Sequence, residues 1–155
     1  VEAEQALFAT AGERQIPAVV LRVAGIYGPE RGYWLKQFLK GEARIEGEGK
    51  RVLNMVHRQD VVGVIIAALE RGQGGEIYNV VDDEPVRQLD FFCWLAETLH
   101  KPLPPLAVEE KAEKKRAMTD KRVLNRKLKS ELGYAFEFPT FREGCMEEIK
   151  RLGLG

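Results

Sequence analysis

The most distinctive hydrophobic pattern of the chain is a mainly apolar run that ends at a glycine-rich loop. Residues 18–24 read AVVLRVA, with β-branched side chains and no regular polar alternation. This composition is typical of a strand that is buried on both faces of a parallel sheet. Because ligands of open α/β sheets bind outside the carboxyl ends of the strands, the loop from Gly25 to Gly32 is the predicted ligand site.

Helical and extended patterns alternate along the rest of the chain. Apolar spacing predicts helices over 1–13, 33–40, 61–69, 89–99, 119–132 and 140–152, and further strands over 51–57 and 76–81. The alternation favours an α/β fold.

Two of these helices carry more detailed expectations. The helix over 61–69 is expected to bury one apolar face, with Asp60 as its N-cap; that face consists of Val62, Ile65, Ile66 and Leu69. In the last helix, Thr140 is followed three residues later by Glu143, which is the capping-box pattern. For the helix over 119–132, Asn125 and Asp120 are both candidate caps, and Gly133 is expected to end it.

Charge and length exclude several classes of function. The chain has 155 residues with 24 Lys and Arg against 24 Asp and Glu, so no net field attracts nucleic acid or an anionic membrane. No apolar run reaches the length of a membrane span. The two cysteines and two histidines lack metal-ligand spacing, so no metal is predicted and a reduced, cytoplasmic setting is expected. The mixed charge run over 109–117 is interpreted as a solvated helix face or a loop.

The glycine loop itself has two interpretations. Gly25, Gly28 and Gly32 form a loose GxxGxxxG pattern between a strand and a helix, which could cradle a phosphate. Pro29 argues against a cradle because it removes a backbone N–H that such a loop would use.

The alternative interpretation is a family resemblance carried by four segments. Residues 21–29 (LRVAGIYGP), 56–62 (VHRQDVV), 77–85 (IYNVVDDEP) and 128–134 (LKSELGY) resemble, in this order, motifs of the NAD(P)-dependent epimerase/dehydratase family, the extended and atypical short-chain dehydrogenases. The resemblance implies an α/β fold, namely the second half of a doubly wound, Rossmann-like parallel sheet with a small C-terminal substrate-binding lobe.

The resemblance also implies a division of the chain. Residues 1–101 are expected to form the C-terminal portion of the Rossmann-like domain and residues 102–155 the small lobe, with the N-terminal dinucleotide-binding half absent. In the extended group, the catalytic Tyr-xxx-Lys helix often continues as Lys-xx-Ala-Glu, and Ala3-Glu4 would place that lysine immediately before Val1. No Tyr-xxx-Lys occurs in the chain, so no catalytic residue is assigned. The N-terminal helix is also the predicted surface for a homodimer.

Candidate binding residues follow from the matched positions. Val23, Ala24 and Ile26 are expected at the nicotinamide end of NAD or NADP, although they can equally be a plain strand end. On the substrate side the candidates are Gly25, Tyr27, Arg31, His57, Arg58 and Arg122, with Lys121 beside the last. For His57, a structural histidine held by the backbone is the favoured interpretation.

Two departures from the family pattern concern the substrate. Gly25 and Leu53 occupy positions where nucleotide-sugar enzymes of the family usually have an Asn and an Arg that hold the substrate diphosphate. Leucine cannot replace a bidentate guanidinium. Arg51 lies two residues earlier, on the same strand face, and could reach the same region. The departures indicate a substrate other than a standard nucleotide sugar.

The expected function is therefore an oxidoreductase of this family that acts on a carbinol or carbonyl carbon of a small molecule. This chain would be the substrate-side half and inactive alone. A non-catalytic NAD(P)-sensing or protein-interaction module of the atypical branch is the alternative. A free-standing small domain is disfavoured by the uncapped first helix and the open sheet edges it would leave.

Overall fold

In the computed structural model, residues 1–107 and 121–154 are described. The charge run over 109–117 and Asp120 lie outside these residues. The helices and strands, in chain order, are α1 (Glu2–Glu13), β1 (Val20–Val23), β2 (Gly25–Tyr27), α2 (Tyr33–Leu39), β3 (Val52–Leu53), β4 (Met55–His57), α3 (Arg58–Arg71), β5 (Ile77–Val80), β6 (Val86–Arg87), α4 (Gln88–Leu99), α5 (Arg126–Leu132) and α6 (Phe141–Arg151), with a short 3-10 turn at Gly47–Gly49.

The strands form three short pairs, of which two are parallel. β1 runs parallel to β5, with Val20 opposite Ile77, and β2 runs parallel to β4, with Gly25 opposite Met55. β3 and β6 are antiparallel. Helices connect the strands of both parallel pairs, so the predicted α/β class is confirmed.

The apolar run predicted as one strand changes partner near its end. The Ala24 amide still donates to the Val80 carbonyl, whereas the next amide, Gly25, donates to the Asn54 carbonyl, each at 3.0 Å. The run therefore supplies β1 to one parallel pair and β2 to the other. This transition lies at the predicted ligand loop and opens the sheet there.

Two apolar clusters form the core. The larger one lies among β2, β3, α2, α4 and α6, where Phe92 and Phe141 are fully buried and the Trp34 and Phe38 rings both pack on Phe92. The smaller one lies among β4, α3, β5 and α5 and contains Val56 and Tyr78. Each cluster includes residues from both sides of residue 102.

The prediction for the third helix is wrong in two respects. The side chains on its predicted buried face are exposed, at 53% for Val62, 50% for Ile66 and 83% for Leu69. The small residues Val64, Ala67 and Ala68 face the core instead. Because apolar residues surround this helix on several sides, spacing alone does not identify the face that the fold buries.

The capping residue of that helix is also different from the prediction. α3 begins immediately after β4, and His57 is its N-cap, accepting a hydrogen bond at Nδ1 from the Gln59 amide at 3.4 Å. Asp60 lies in the first turn. Its buried carboxylate accepts hydrogen bonds from the Tyr134 hydroxyl at 3.0 Å and from the amides of Glu137 and Phe138 at 2.7 and 3.0 Å. Asp60 therefore anchors the 134–138 segment rather than capping the helix.

The C-terminal helices follow their predicted signals more closely. α6 begins after Thr140, whose hydroxyl and the Glu143 carboxylate form the expected capping box. α5 begins at Arg126 and ends at Gly133, which adopts the left-handed conformation at φ 58°. Asn125 precedes α5 without capping it, since its side-chain amide donates to the Val81 carbonyl and to Asp83.

Candidate functional site

A pocket of about 670 Å³ opens at the carboxyl end of β1, along β2 and the loop that follows it. Its lining comes from the sheet opening, from the first half of α2, from residues 51–55 and from Phe91, Val123 and Cys145. Pockets of this volume accommodate small organic ligands. The location matches the one predicted from the apolar run.

The three predicted cofactor positions lie together in one wall of this pocket. Val23, Ala24 and Ile26 all line it, and Val23 is 39% exposed. Gly25 lies between them and is held against β4, where an added Cβ would lie 3.2 Å from the Asn54 carbonyl oxygen. This part of the wall is apolar and closely backed by the sheet, so it can receive the face of a flat ring.

Tyr27 and Arg31 also line the pocket. The Tyr27 side chain is almost fully buried, and its hydroxyl donates to the Thr140 carbonyl at 3.2 Å. Burial raises the pKa of Tyr27 well above its usual value, so the hydroxyl keeps its proton at any physiological pH. Tyr27 therefore acts as a wall and a tie to α6 rather than as an acid or base.

His57 and Arg58 lie behind the pocket wall rather than in it. The His57 ring is fully buried, and burial lowers its pKa. Its Nε2 atom has no hydrogen-bond partner among the described residues and lies 3.6 Å from a carboxylate oxygen of Glu147. The Arg58 guanidinium donates to the Pro29 carbonyl at 3.3 Å. Both residues thus support the ligand loop from beneath.

Lys121 and Arg122 lie beside the pocket. Arg122 donates to the Pro85 carbonyl at 3.3 Å, and the Lys121 carbonyl accepts from the Asn54 side-chain amide at 2.8 Å. The segment reaches the pocket one residue later, at Val123, whose amide donates to Asn54 Oδ1 at 2.8 Å. The sequence reasoning missed Asn54, since its partners are more than sixty residues away in the chain.

Two further lining residues were not chosen as site candidates from the sequence. Trp34 lies in the first turn of α2, and the guanidinium carbon of Arg51 lies 5.4 Å from its ring centroid, a cation–π arrangement. The strand-face position of Arg51, two residues before Leu53, was the available signal. Trp34 also packs edge-on against Phe92 in the larger core cluster.

Two buried ionisable side chains lie at the pocket: Cys145 is part of its lining, and Asp82 is adjacent, since its amide donates to the carbonyl of the lining residue Met55 at 2.8 Å. Asp82 is 2% exposed, and burial is the main cause that raises its pKa to about 7. Its Oδ1 atom accepts from the Glu84 amide at 3.1 Å, while Oδ2 has no partner in the described ranges. The Cys145 thiol is also buried, which raises its pKa to about 12 and makes it a poor nucleophile.

Other kinds of site find no support in residues 1–107 and 121–154. No group of three or more His, Cys, Asp or Glu side chains there is arranged to hold a metal ion. Among the same residues, the helices are too short or too polar to cross a bilayer.

Comparison with known proteins gives the family context of this pocket. Residues 1–81 match the model of the NAD dependent epimerase/dehydratase family. The chain is 31% identical over 121 residues to protein YeeZ of Escherichia coli K12, covering 77% of this chain and 40% of YeeZ. It is 28% identical over 145 residues to a 3-diazoavenalumate denitrifying reductase of Streptomyces, covering 86% of this chain and 47% of the reductase.

A solved structure shows the same arrangement of elements. UDP-glucose 4-epimerase of Thermotoga maritima, determined with UDP-glucose, superposes with a TM-score of 0.79 at 25% identity. The match covers 99% of this chain and 52% of the epimerase. The chain thus spans about half the length of this structure, and less than half of the curated relatives that it matches. Its fold corresponds to half of a Rossmann-like epimerase/dehydratase.

Proposed function

We propose, because the chain belongs to the NAD dependent epimerase/dehydratase family, that it forms the substrate side of an oxidoreductase acting on a carbinol or carbonyl carbon of a small molecule. The cofactor is NAD or NADP. Family membership supports the reaction class, and the reductase named among the relatives favours net oxidoreduction.

The observation that carries the proposal is the wall formed by Val23, Ala24 and Ile26 at the end of β1. It is apolar, it opens into the pocket, and it lies where α/β sheets bind their ligands. These properties fit the flat nicotinamide ring, which supplies or accepts the hydride when the cofactor is bound. The glycine loop itself does not fit a pyrophosphate cradle, since Pro29 removes one of its backbone N–H groups.

The remaining candidate residues have supporting parts in the proposal. Tyr27 closes the pocket floor and retains its proton, while Arg31 lines the pocket on the ligand loop. Arg58 holds that loop through the Pro29 carbonyl and His57 packs closely beneath Gly28, while Arg122 holds the segment that brings Val123 to the pocket. Gly25 keeps β2 close to β4 and leaves space for the ligand above it.

We further propose that a dinucleotide-binding half completes the site. The chain contains no Tyr-xxx-Lys, so the proton-transfer pair of the family would come from that half. The exposed aliphatic face of α3 and the edge of β1 that is not hydrogen-bonded to β5 support this idea, because both are surfaces that folded domains usually cover. Residues 102–155 would then act as the substrate lobe.

The first helix is proposed as the contact surface for a second copy. None of the α1 residues is buried, and Leu7 is 46% exposed. α1 is nevertheless tied to the pocket, because Glu4 accepts two hydrogen bonds from Arg22 at 2.8 and 2.7 Å. A partner on α1 would therefore stabilise the wall that Arg22 adjoins.

Saturation-transfer NMR with NADH and NADPH tests the cofactor wall directly. The proposal expects stronger saturation of the nicotinamide protons than of the adenine protons, because this chain supplies only the nicotinamide side. Val23→Trp should abolish the nicotinamide signal by filling the pocket, whereas Ile16→Trp, which alters an exposed residue before β1, should leave it unchanged. Equal saturation of both rings, or no effect of Val23→Trp, would contradict the proposal.

A further inference from the structure

Two of the four charged side chains in the pocket lining are arginines without a close, bidentate carboxylate partner in the described part of the chain. Arg22 is held in its bidentate contact with Glu4, and Glu148 accepts two hydrogen bonds from Arg151 at 2.8 and 2.7 Å. These lining residues are therefore already paired with opposite charges. The two other charged side chains of the lining are both arginines, Arg31 and Arg51, so the pocket has a net positive character.

The two arginines are available to an anion to different degrees. Arg31 is exposed on the ligand loop and makes no ion pair within residues 1–107 and 121–154. Arg51 makes one long contact with the half-exposed Glu46, at 3.6 Å, and its guanidinium carbon lies over the Trp34 ring, 5.4 Å from the ring centroid. A guanidinium presents a planar fork of donors, which can bind a carboxylate with two parallel hydrogen bonds.

The uncharged polar side chains of the pocket are, in contrast, already committed. Both ends of the Asn54 amide bind the 121–123 backbone, and the Asn79 amide donates to the Leu124 carbonyl at 3.4 Å. The Tyr27 hydroxyl donates to Thr140. Among the lining residues, only the exposed Tyr33 has a hydroxyl group that makes no hydrogen bond to another described residue. A sugar, whose several hydroxyls each require a partner, would lose hydrogen bonds on entering this pocket.

The wall between the arginines and the sheet is aromatic and aliphatic. Trp34, Leu35 and Phe91 line it, and the latter two are buried in the larger core cluster. Leu35 and Phe91 are almost fully buried, so they hold the wall rigid behind Trp34, whose partly exposed ring can receive the face of an aromatic ligand. The pocket thus combines a cationic group with a flat apolar surface and few free hydrogen-bonding side chains.

We propose that this pocket selects an aromatic carboxylate, with Arg51 and Arg31 binding the carboxylate and Trp34 packing against the ring. The inference rests on the proposed function, since it names the class of small molecule that the oxidoreductase site receives. Arg51 is the residue that determines specificity, because its charged, planar guanidinium distinguishes a carboxylate from a neutral group of the same shape.

Calorimetric titration of the chain with trans-cinnamate, cinnamamide and UDP-glucose tests the inference. Cinnamate should bind at least tenfold more tightly than cinnamamide, and UDP-glucose should not displace it. Arg51→Gln should reduce cinnamate affinity to that of the amide, and Arg51→Lys should restore only part of it because lysine cannot bind bidentately. The matched control is Arg126→Gln, on the exposed surface of α5, which should change nothing.

Several outcomes would overturn the inference. These are the absence of cinnamate binding, equal affinity for acid and amide, an unchanged affinity in a folded Arg51→Gln variant, or displacement by UDP-glucose. Circular dichroism confirms folding of each variant. Nicotinamide binding is measured on the same samples. If the nicotinamide signal is absent but cinnamate binding depends on Arg51, only the cofactor wall is refuted. If the nicotinamide signal is present but cinnamate binding does not depend on Arg51, only the carboxylate assignment is refuted.

Discussion

Replacing Asp82 by Asn is expected to make the chain more stable at alkaline pH and to flatten its pH dependence. The carboxyl group is 2% exposed, and Oδ2 has no partner among the described residues. Ionisation in this environment is costly because no cation pairs with the carboxylate and the Glu84 amide is its only hydrogen-bond donor among the described residues. An asparagine keeps the acceptor for the Glu84 amide and carries no charge.

The magnitude follows from the pKa. Burial raises the pKa of Asp82 from its ordinary value of 3.8 to about 7. The folded and unfolded pKa values differ by about three, and each pKa unit corresponds to about 1.4 kcal/mol. Asp82 can therefore change the free energy of unfolding with pH by at most about 4 kcal/mol. Because the folded pKa is the higher one, this contribution is fully present below pH 3.8 and is lost as the pH rises through about 7. Asp82→Asn should therefore match the wild type near pH 4 and exceed it near pH 8.

Urea denaturation of both proteins at pH 4, 6 and 8 measures this difference. The quantity of interest is the free energy of unfolding of the variant minus that of the wild type at each pH, since groups common to both cancel. His57 is such a group, and its lowered pKa acts in the opposite direction. A difference that stays constant between pH 4 and pH 8 would refute the assignment of a neutral, buried Asp82.

Three further predictions concern contacts around the pocket wall. Glu147→Gln should lower the pKa of His57 further in an NMR titration, because the Glu147 carboxylate favours the imidazolium form. Since the pKa of His57 is lower in the folded protein than in the unfolded chain, the free energy of unfolding of both proteins should rise as the pH increases towards 6.5. Gly144→Ala should cost about 2 kcal/mol by urea denaturation, because the new Cβ would lie 2.5 Å from the Tyr27 ring. Asp60→Ala should lower the thermal midpoint strongly, costing about 3 kcal/mol, since it leaves three donors of residues 134–138 without their acceptor.

The sequence predicted those features that depend on neighbouring residues. The capping box at Thr140 and the left-handed Gly133 are local, and both occur as expected. The apolar run before Gly25 also led to the pocket, because the carboxyl end of a parallel strand is a general ligand position.

Features that depend on distant residues could not be predicted in the same way. Asp60 resembled a helix cap because acidic residues favour helix starts, yet its partners lie more than seventy residues away. The orientation of α3 depends on which small residues fit the sheet, and Ala67 and Ala68 allow a closer approach than the large aliphatics on the other side. Asn54 gave no signal, since its role comes from a backbone segment that reaches it through the fold.

Asn54 lies between β3 and β4, which belong to two different strand pairs. Its carbonyl accepts a hydrogen bond from the Gly25 amide. Its side chain donates to the Lys121 carbonyl and accepts from the Val123 amide. Local opening of the protein should follow this connection. Detachment of the 121–123 segment and loosening of the start of β2 would then be a single event, so the Gly25 and Val123 amides should exchange with deuterium at similar rates, and Asn54→Ala should accelerate both. The start of β2 and residues 121–123 would then unfold locally as one cooperative unit.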